Sequence, residues 1–259
     1  GTEDAGKDGV PQLHEEAPGN VCLDFFVGDA EATEKAFAEA AHVTSLRIDN
    51  TRMVVNTIEP RSIIGQYDAT SERFTIHMPS QGVMGPKNVL AKSIFKVDPD
   101  KFRVISNDVG GSFGMKGAAF IEPVSVLYAA RKLNRPVKWT ADRSESFVAD
   151  HQGRDSVIYA DLALDRDGNF LGLRVGGVGN VGAYLSGMGP APMTGVICRN
   201  LISVYKTPNF AYGTKALFSN TVPTGPYRGA GRPESKYIME QLVDKAAREM
   251  GIDRVEIRR

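Results

Sequence analysis

Metal-binding and cross-linking groups are scarce in this 259-residue chain. It has two cysteines, Cys22 and Cys198, and no Cys-x-x-Cys pair. Two thiols argue against a disulfide-built scaffold and exclude an iron–sulfur cluster held by this chain alone. The four histidines, His14, His42, His77 and His151, follow no metal-ligand spacing, so no metal held directly by protein side chains is expected. No apolar run approaches the ~20 residues that span a bilayer. The segment from Gly1 to Gly9 is polar and lacks the apolar core of a signal sequence, which leaves the cytoplasm as the default location. An excess of one charge is missing too, with Lys+Arg and Asp+Glu both 31. That balance argues against broad electrostatic binding to nucleic acid or to an anionic membrane, and leaves room for a local basic pocket.

What is present reads as a globular chain. Hydrophobic residues make up 42% and charged residues 24%, and the length suffices for one sizeable core or two small ones. Residues 1–20, rich in Gly, Pro and acidic side chains, read as a linker or leader. Strands are expected at 21–27, 42–48, 53–58, 62–67, 73–78, 102–106, 135–139, 156–164, 169–178 and 211–218. Helices are expected at 30–41, capped by Asp29, and at 82–95 with a late start set by Pro86. Further helices are expected at 118–133, 144–150 and 234–250, the last between Pro233 and Gly251. Asp165-Arg166-Asp167-Gly168 marks a hairpin turn. Residues 176–189 are glycine-rich and read as irregular, and 193–204 are ambiguous. The succession is α+β, with mixed sheets and packed helices rather than a regular strand–helix alternation. A subdomain break is expected near 140–155. Residues 256–259 end with a helical pattern still running, so the chain reads as cut from a longer polypeptide.

Two glycine-rich loops, about half a chain apart, carry the chemistry. Asp108 to Gly117 read Asp-Val-Gly-Gly-Ser-Phe-Gly-Met-Lys-Gly, and Pro226 to Glu234 read Pro-Tyr-Arg-Gly-Ala-Gly-Arg-Pro-Glu. In the first loop, Gly110, Gly111, Ser112, Phe113 and Gly114 lie between an expected strand and an expected helix. Glycine permits positive φ and a close backbone approach to a ligand. Successive exposed N–H groups there form an anion nest, helped by the helix start that follows. Neither the Walker A pattern nor the dinucleotide fingerprint is satisfied. Gly110-Gly-Ser-Phe-Gly114 does satisfy Gly-x-Ser-x-Gly, the nucleophile elbow of α/β-hydrolases. The histidine after it, His151, follows too closely for the intervening hydrolase strands. A serine hydrolase at Ser112 stands as an alternative, as does a purely structural glycine turn.

The second loop sets Arg228 and Arg232 around the small residues Gly229, Ala230 and Gly231. Arginine offers paired donors to phosphate or oxo groups, and small residues let a flat ligand lie against the backbone. Two such loops from distant parts of one chain point to a large polyanionic cofactor held between them. The bland reading of the second loop alone is a solvated basic helix start. Gln81, at a strand end, can donate to a ligand oxygen, although alone it reads as a surface glutamine. Glu59-Pro60-Arg61 alone reads as a strand-edge salt-bridge segment, and Asn180 to Tyr184 as a pocket-lining loop or a tight bend.

Taken in order, these pieces resemble the molybdopterin-binding region of large subunits in the xanthine dehydrogenase/aldehyde oxidase family of molybdenum hydroxylases. The likeness runs through Ala-Pro-Gly-Asn at 17–20, Glu-Pro-Arg at 59–61, Gln81, the loop at 109–116, Arg-Pro-Val-Lys-Trp at 135–139, Gly-Ala-Tyr at 182–184, the loop at 227–234 and Gly-Ile-Asp at 251–253. It is nearest to the bacterial carbon-monoxide-dehydrogenase-like type. The resemblance implies that 21–259 is the first half of that region. It implies that Gln81 bonds a metal oxo group or the pterin, and that Gly111, Phe113 and Arg228 offer backbone N–H groups to the metal's ligands and the pterin. Gly110, Ser112, Gly114, Gly229 and Ala230 complete the implied cofactor contacts. The implied cofactor is molybdenum-molybdopterin in its cytosine dinucleotide form. The implied reaction is oxidation of aldehydes or N-heterocycles with water as the oxygen source.

The resemblance also implies an iron–sulfur small subunit and an FAD medium subunit as partners. No catalytic residue is expected in this chain, because the family's general-base glutamate lies C-terminal to the matching region. The isolated chain is therefore expected to be free of cofactor and inert. Two departures narrow the substrate. Gly229 stands where copper-dependent carbon monoxide dehydrogenases carry a cysteine, and Ala230 and Gly117 replace the Phe and Glu that grip purines. A non-catalytic scaffold or assembly module of the same fold is the remaining alternative.

Overall fold

Two mixed β-sheets, each faced by helices, organise the described residues 2–259 of this computed structural model. The chain runs through β1 (Val21–Gly28), α1 (Ala30–Glu39), β2 (His42–Asn50), β3 (Ser62–Asp68) and β4 (Arg73–His77). It continues through α2 (Met84–Asn88), β5 (Phe102–Ile105), α3 (Ile121–Leu133), β6 (Val137–Thr140) and α4 (Arg143–Ala149). The last elements are β7 (Ser156–Leu164), β8 (Phe170–Gly182), α5 (Ile197–Leu201), β9 (Asn209–Phe218) and α6 (Arg232–Met250).

The first sheet has the order β1-β9-β8-β7-β2 and the second β5-β4-β3-β6. Each contains one parallel pair, β8 with β9 and β4 with β5, among antiparallel neighbours. The expected α+β class with mixed sheets is what forms. In the first core, Leu162, Leu164 and Leu173 meet Ile238, Leu242 and Ala246 of α6, and all six are fully buried. The second core stacks Phe74 on Phe102 at 4.8 Å, beneath Leu127 of α3. Burying each such side chain contributes roughly 1.5–3 kcal/mol. Gly65 lets α3 approach β3, since a Cβ there would lie 2.8 Å from Val126 Cγ1. The chain passes from the second sheet back to the first through α4 and residues 150–155.

The hairpin turn forms as its residues dictate, with Asp165 Oδ1 accepting the N–H groups of Asp167 and Asn169 at 2.9 Å each. Four expectations change. β8 does not stop at 178 but runs through the glycine-rich stretch to Gly182, because those glycines sit where side chains would collide. A Cβ on Gly177 would fall 2.2 Å from Val157 O, and one on Gly179 would fall 2.1 Å from the Met193 sulfur. Residues 53–58 are not a strand. β2 ends opposite the start of β7, so the stretch keeps a single bridge, Met53 to Gly153.

Residues 2–20, read as a leader, are folded onto the first sheet. Asn20 is buried there, and its amide binds Ala5 O, Pro11 O and the Leu13 N–H, while His14 bonds Ala183 O at 2.6 Å. α3 begins at Ile121 rather than 118, because Met115–Gly117 forms a separate turn that Ala118 ends in extended conformation.

Candidate functional site

The first glycine loop leaves β5 and closes on a buried charge. Lys116, 1% exposed, donates through Nζ to the Glu59 carbonyl at 2.8 Å and to Glu59 Oε2 at 2.9 Å. The same Oε2 accepts the Gly110 N–H at 2.8 Å. One carboxylate thus ties the loop's beginning to its end. Burial pushes the Glu59 carboxyl up, but Lys116 and the Gly110 N–H outweigh it and hold Glu59 below the usual carboxylate range. Gly110 has to be glycine, since a Cβ there would lie 2.4 Å from that of Glu59.

Gln81 buttresses the loop's far side. Its Oε1 accepts the Ser112 hydroxyl at 2.8 Å and the Gly114 N–H at 2.9 Å. Gly111, Phe113 and Gly114 all have positive φ, 98°, 50° and 107°. Among the described residues, the N–H groups of Gly111, Ser112 and Phe113 donate to no protein acceptor. Consecutive unpartnered donors in a left-handed turn are what an anion nest requires.

The second loop packs directly on the first. The Arg228 N–H donates to Phe113 O at 2.8 Å, and a Cβ on Gly114 would lie 2.3 Å from Pro226 O. Within the loop, Ala230 N–H bonds Tyr227 O at 2.7 Å, and Gly231 N–H bonds Glu234 Oε2 at 3.1 Å. That carboxylate caps α6, whose first turn also holds Pro233. The Arg228 side chain is exposed and makes no hydrogen bond or ion pair among the described residues.

The geometry distributes the expected donors unevenly. The donor assigned to the Arg228 main chain is taken by Phe113 O, and those of Gly110, Gly114 and Ala230 are taken by Glu59, Gln81 and Tyr227. Among the described residues, the N–H groups of Gly111, Ser112, Phe113 and Gly229 are among those left without a protein acceptor. Local composition names the glycines but cannot say which peptide faces which neighbour. Ser112, for its part, donates to an amide oxygen and not to a histidine. His151 instead lies 4.3 Å from the Phe120 ring and is 7% exposed. Burial, and next the nearby Arg61 charge, lower its pKa to about 4.

Sequence reasoning missed two cations, Arg61 and Arg154, that brace the site. Arg61, read as an edge residue, is 5% exposed. It donates to Asp150 at 2.6 Å and to both oxygens of Glu122 at 2.6 and 2.9 Å, with Phe120 stacked 3.9 Å from its guanidinium. Arg154 fastens the second loop, and no local pattern marks it. The Glu-Pro-Arg motif was the available signal for Arg61.

The glycine cradle suits an anionic cofactor with many oxygen acceptors, and the comparisons agree. A family described as the molybdopterin cofactor-binding domain matches residues 13–259. The gamma subunit of the 6-hydroxypseudooxynicotine dehydrogenase complex of Paenarthrobacter nicotinovorans is 32% identical over 230 residues, covering 87% of this chain and 28% of that protein. The carbon monoxide dehydrogenase large chain of Hydrogenophaga pseudoflava is 29% identical over 269 residues, covering 98% and 33%. The crystal structure of quinoline 2-oxidoreductase from Pseudomonas putida 86 superposes with a TM-score of 0.88 at 28% identity, covering 98% of this chain and 32% of that one. The chain spans about a third of the length of these relatives. With its cradle of glycine N–H groups and a family match over nearly all of its residues, the chain belongs to the molybdopterin cofactor-binding domain family.

Proposed function

We propose that this chain is the cofactor-holding part of a molybdenum-dependent oxidoreductase large subunit. The observation that carries the reading is the row of N–H groups at Gly111, Ser112 and Phe113 without a protein acceptor among the described residues, on a loop packed against a second loop whose Gly229 N–H and Arg228 guanidinium are likewise unpartnered. These donors fit the oxygen-rich head of a molybdopterin. When bound, that group would supply the redox chemistry, and the protein would orient it. Gln81 would hold the first loop in shape through Oε1 and keep its NH₂ for a ligand oxygen. The cytosine dinucleotide form of the cofactor belongs to this reading.

The proposed reaction is oxidation of an aldehyde or N-heterocycle, with water as the oxygen source. Support comes from the relatives named for 6-hydroxypseudooxynicotine and quinoline. Carbon monoxide is not the proposed substrate. A side chain at Gly229 would put its Cβ 2.5 Å from Pro233 Cγ and Cδ at a φ of 91°, so a copper-holding cysteine does not fit this loop. The two glutamates that bind the loops, Glu59 and Glu234, are ion-paired to Lys116 and Arg154. A general-base glutamate is therefore proposed to come from a further part of the polypeptide. Ile58 (94% exposed) and Ile121 (75%) offer that part apolar surface to cover. Iron–sulfur and FAD subunits are proposed as electron-transfer partners, and the cytoplasm as the location. No helix among the described residues is long and apolar enough to cross a membrane. The isolated chain is proposed to be inert and free of cofactor.

A scaffold role has one observation in its favour: contacts within the protein alone require glycine at 110, 114, 229 and 231. The deciding experiment is elemental mass spectrometry on the complete polypeptide from its own cells. About one molybdenum per polypeptide supports the cofactor-holding reading. A folded complex with its partner subunits and without molybdenum moves the assignment to the scaffold.

A further inference from the structure

The corner at residues 153–155 is strained, and it is built against the second loop. Arg154 and Asp155 have φ of 64° and 69°, a left-handed conformation that residues with a β-carbon adopt only at a cost. Gly153 is pressed so near Tyr227 that a Cβ would lie 2.3 Å from that of the tyrosine. Asp155 anchors the corner through Arg52, Asn180 and Thr2. What the corner delivers is one guanidinium.

The Arg154 side chain is 12% exposed. Its Nη1 donates to Tyr227 O at 3.0 Å and to Glu234 Oε1 at 2.9 Å, and its Nη2 donates to Arg228 O at 3.1 Å. Its guanidinium carbon lies 5.1 Å from the Tyr227 ring centre. Glu234 takes the Gly231 N–H with its other oxygen. Residues 227–228 at the start of the loop and Gly231 at its end are thus held by one ion pair.

In a trans peptide the C=O and the following N–H point in opposite directions. Holding Tyr227 O on Arg154 therefore turns the Arg228 N–H away from it, towards Phe113 O, where it bonds at 2.8 Å. Holding Arg228 O turns the Gly229 N–H away in the same manner, and that donor has no protein acceptor among the described residues. Carbonyl oxygens also repel an anion, and the guanidinium keeps these two occupied. Lysine could match the charge but not the planar fork that reaches three acceptors.

We propose that Arg154 is a positioning residue for the cofactor cradle. By fixing the Tyr227 and Arg228 carbonyls it orients the next two peptides, locking one N–H onto the first loop and presenting the Gly229 N–H to an anionic group. The cradle's occupant rests on the cofactor-holding reading above, whereas the orientation of the peptides does not.

The test uses Arg154→Lys, Arg154→Met and Glu234→Gln in the complete polypeptide, with Arg174→Met as a surface control. Amide hydrogen exchange and release of bound pterin, followed by its fluorescence, are the readouts. In Arg154→Lys, melting is expected within a few degrees of wild type. Exchange at Arg228 and Gly231 should nonetheless rise roughly ten- to a hundredfold, the effect of losing charge-assisted bonds, with Leu162 and Ile238 unchanged. Pterin release should quicken by at least about tenfold. Arg154→Met should show the same losses with a lower melting temperature. Glu234→Gln should lower the melting temperature but keep Arg228 protected. Wild-type protection and retention in Arg154→Lys overturn the proposal, leaving Arg154 as a counter-ion for Glu234. Loss of Arg228 protection in Glu234→Gln as complete as in Arg154→Lys also overturns it. If the wild-type protein carries no pterin, the cofactor-holding reading fails, and the exchange data alone decide the role of Arg154.

Discussion

Gly114 faces the carbonyl of Pro226 so closely that a β-carbon would lie 2.3 Å from its oxygen, at a φ of 107°. This contact seats one glycine loop on the other. Gly114→Ala must both strain its backbone and push the loops apart, and is expected to destabilise the protein by about 2–4 kcal/mol. Gly117→Ala, where no atom lies within 4 Å of the new Cβ, should stay within about 0.5 kcal/mol of wild type. Urea denaturation of the two variants makes the comparison, and equal midpoints would show that the loops yield freely.

Arg61 is enclosed by Glu122, Asp150 and the rings of Phe120 and Trp139. Arg61→Met would leave two carboxylates without their cation, one of them, Asp150, 3% exposed. The expected loss is about 3–5 kcal/mol by thermal unfolding. A loss below about 1 kcal/mol would mean that water replaces the guanidinium.

His151 carries a pH signature. Its pKa falls from 6.5 in the unfolded chain to about 4 in the fold, through burial first and the Arg61 charge second. Between these values the unfolded chain binds a proton that the folded one refuses. Stability is therefore full above pH 6.5 and is lost as the pH falls towards about 4, by roughly 3 kcal/mol in total. His151→Leu should flatten the stability curve between pH 6.5 and 4. An unchanged slope would assign the titration to another group.

Ser112 has an amide oxygen as its partner and no base. A fluorophosphonate probe is expected to leave the folded protein unlabelled, and Ser112→Ala to cost about 1 kcal/mol or less. Covalent labelling at Ser112 would restore the hydrolase alternative.

The hairpin between β7 and β8, the Asp29 cap of α1 and the Pro233-to-Gly251 span of α6 were legible because each depends on residues within a few positions of one another. The two glycine loops were legible for the same reason, and their order along the chain carried the family likeness. Less could be read where one sequence pattern serves two ends. Glycines at 176–182 look like an irregular loop, yet they extend β8 because neighbouring chains press on them. Residues 2–20 look solvated, yet a single buried amide, Asn20, gathers them. Nothing near Lys116 in the sequence shows that it is buried against Glu59.

By itself, then, the sequence determined the local conformations of turns and helix ends. Those follow from short-range sterics and nearest hydrogen-bond partners. Which donors stay free was decided only by the tertiary structure. The Arg228 N–H is taken because Phe113 is brought to it, and the Gly229 N–H is free because Arg154 turns its peptide. Each peptide group has one donor and one direction, and its partner lies in a distant part of the chain that only folding brings near.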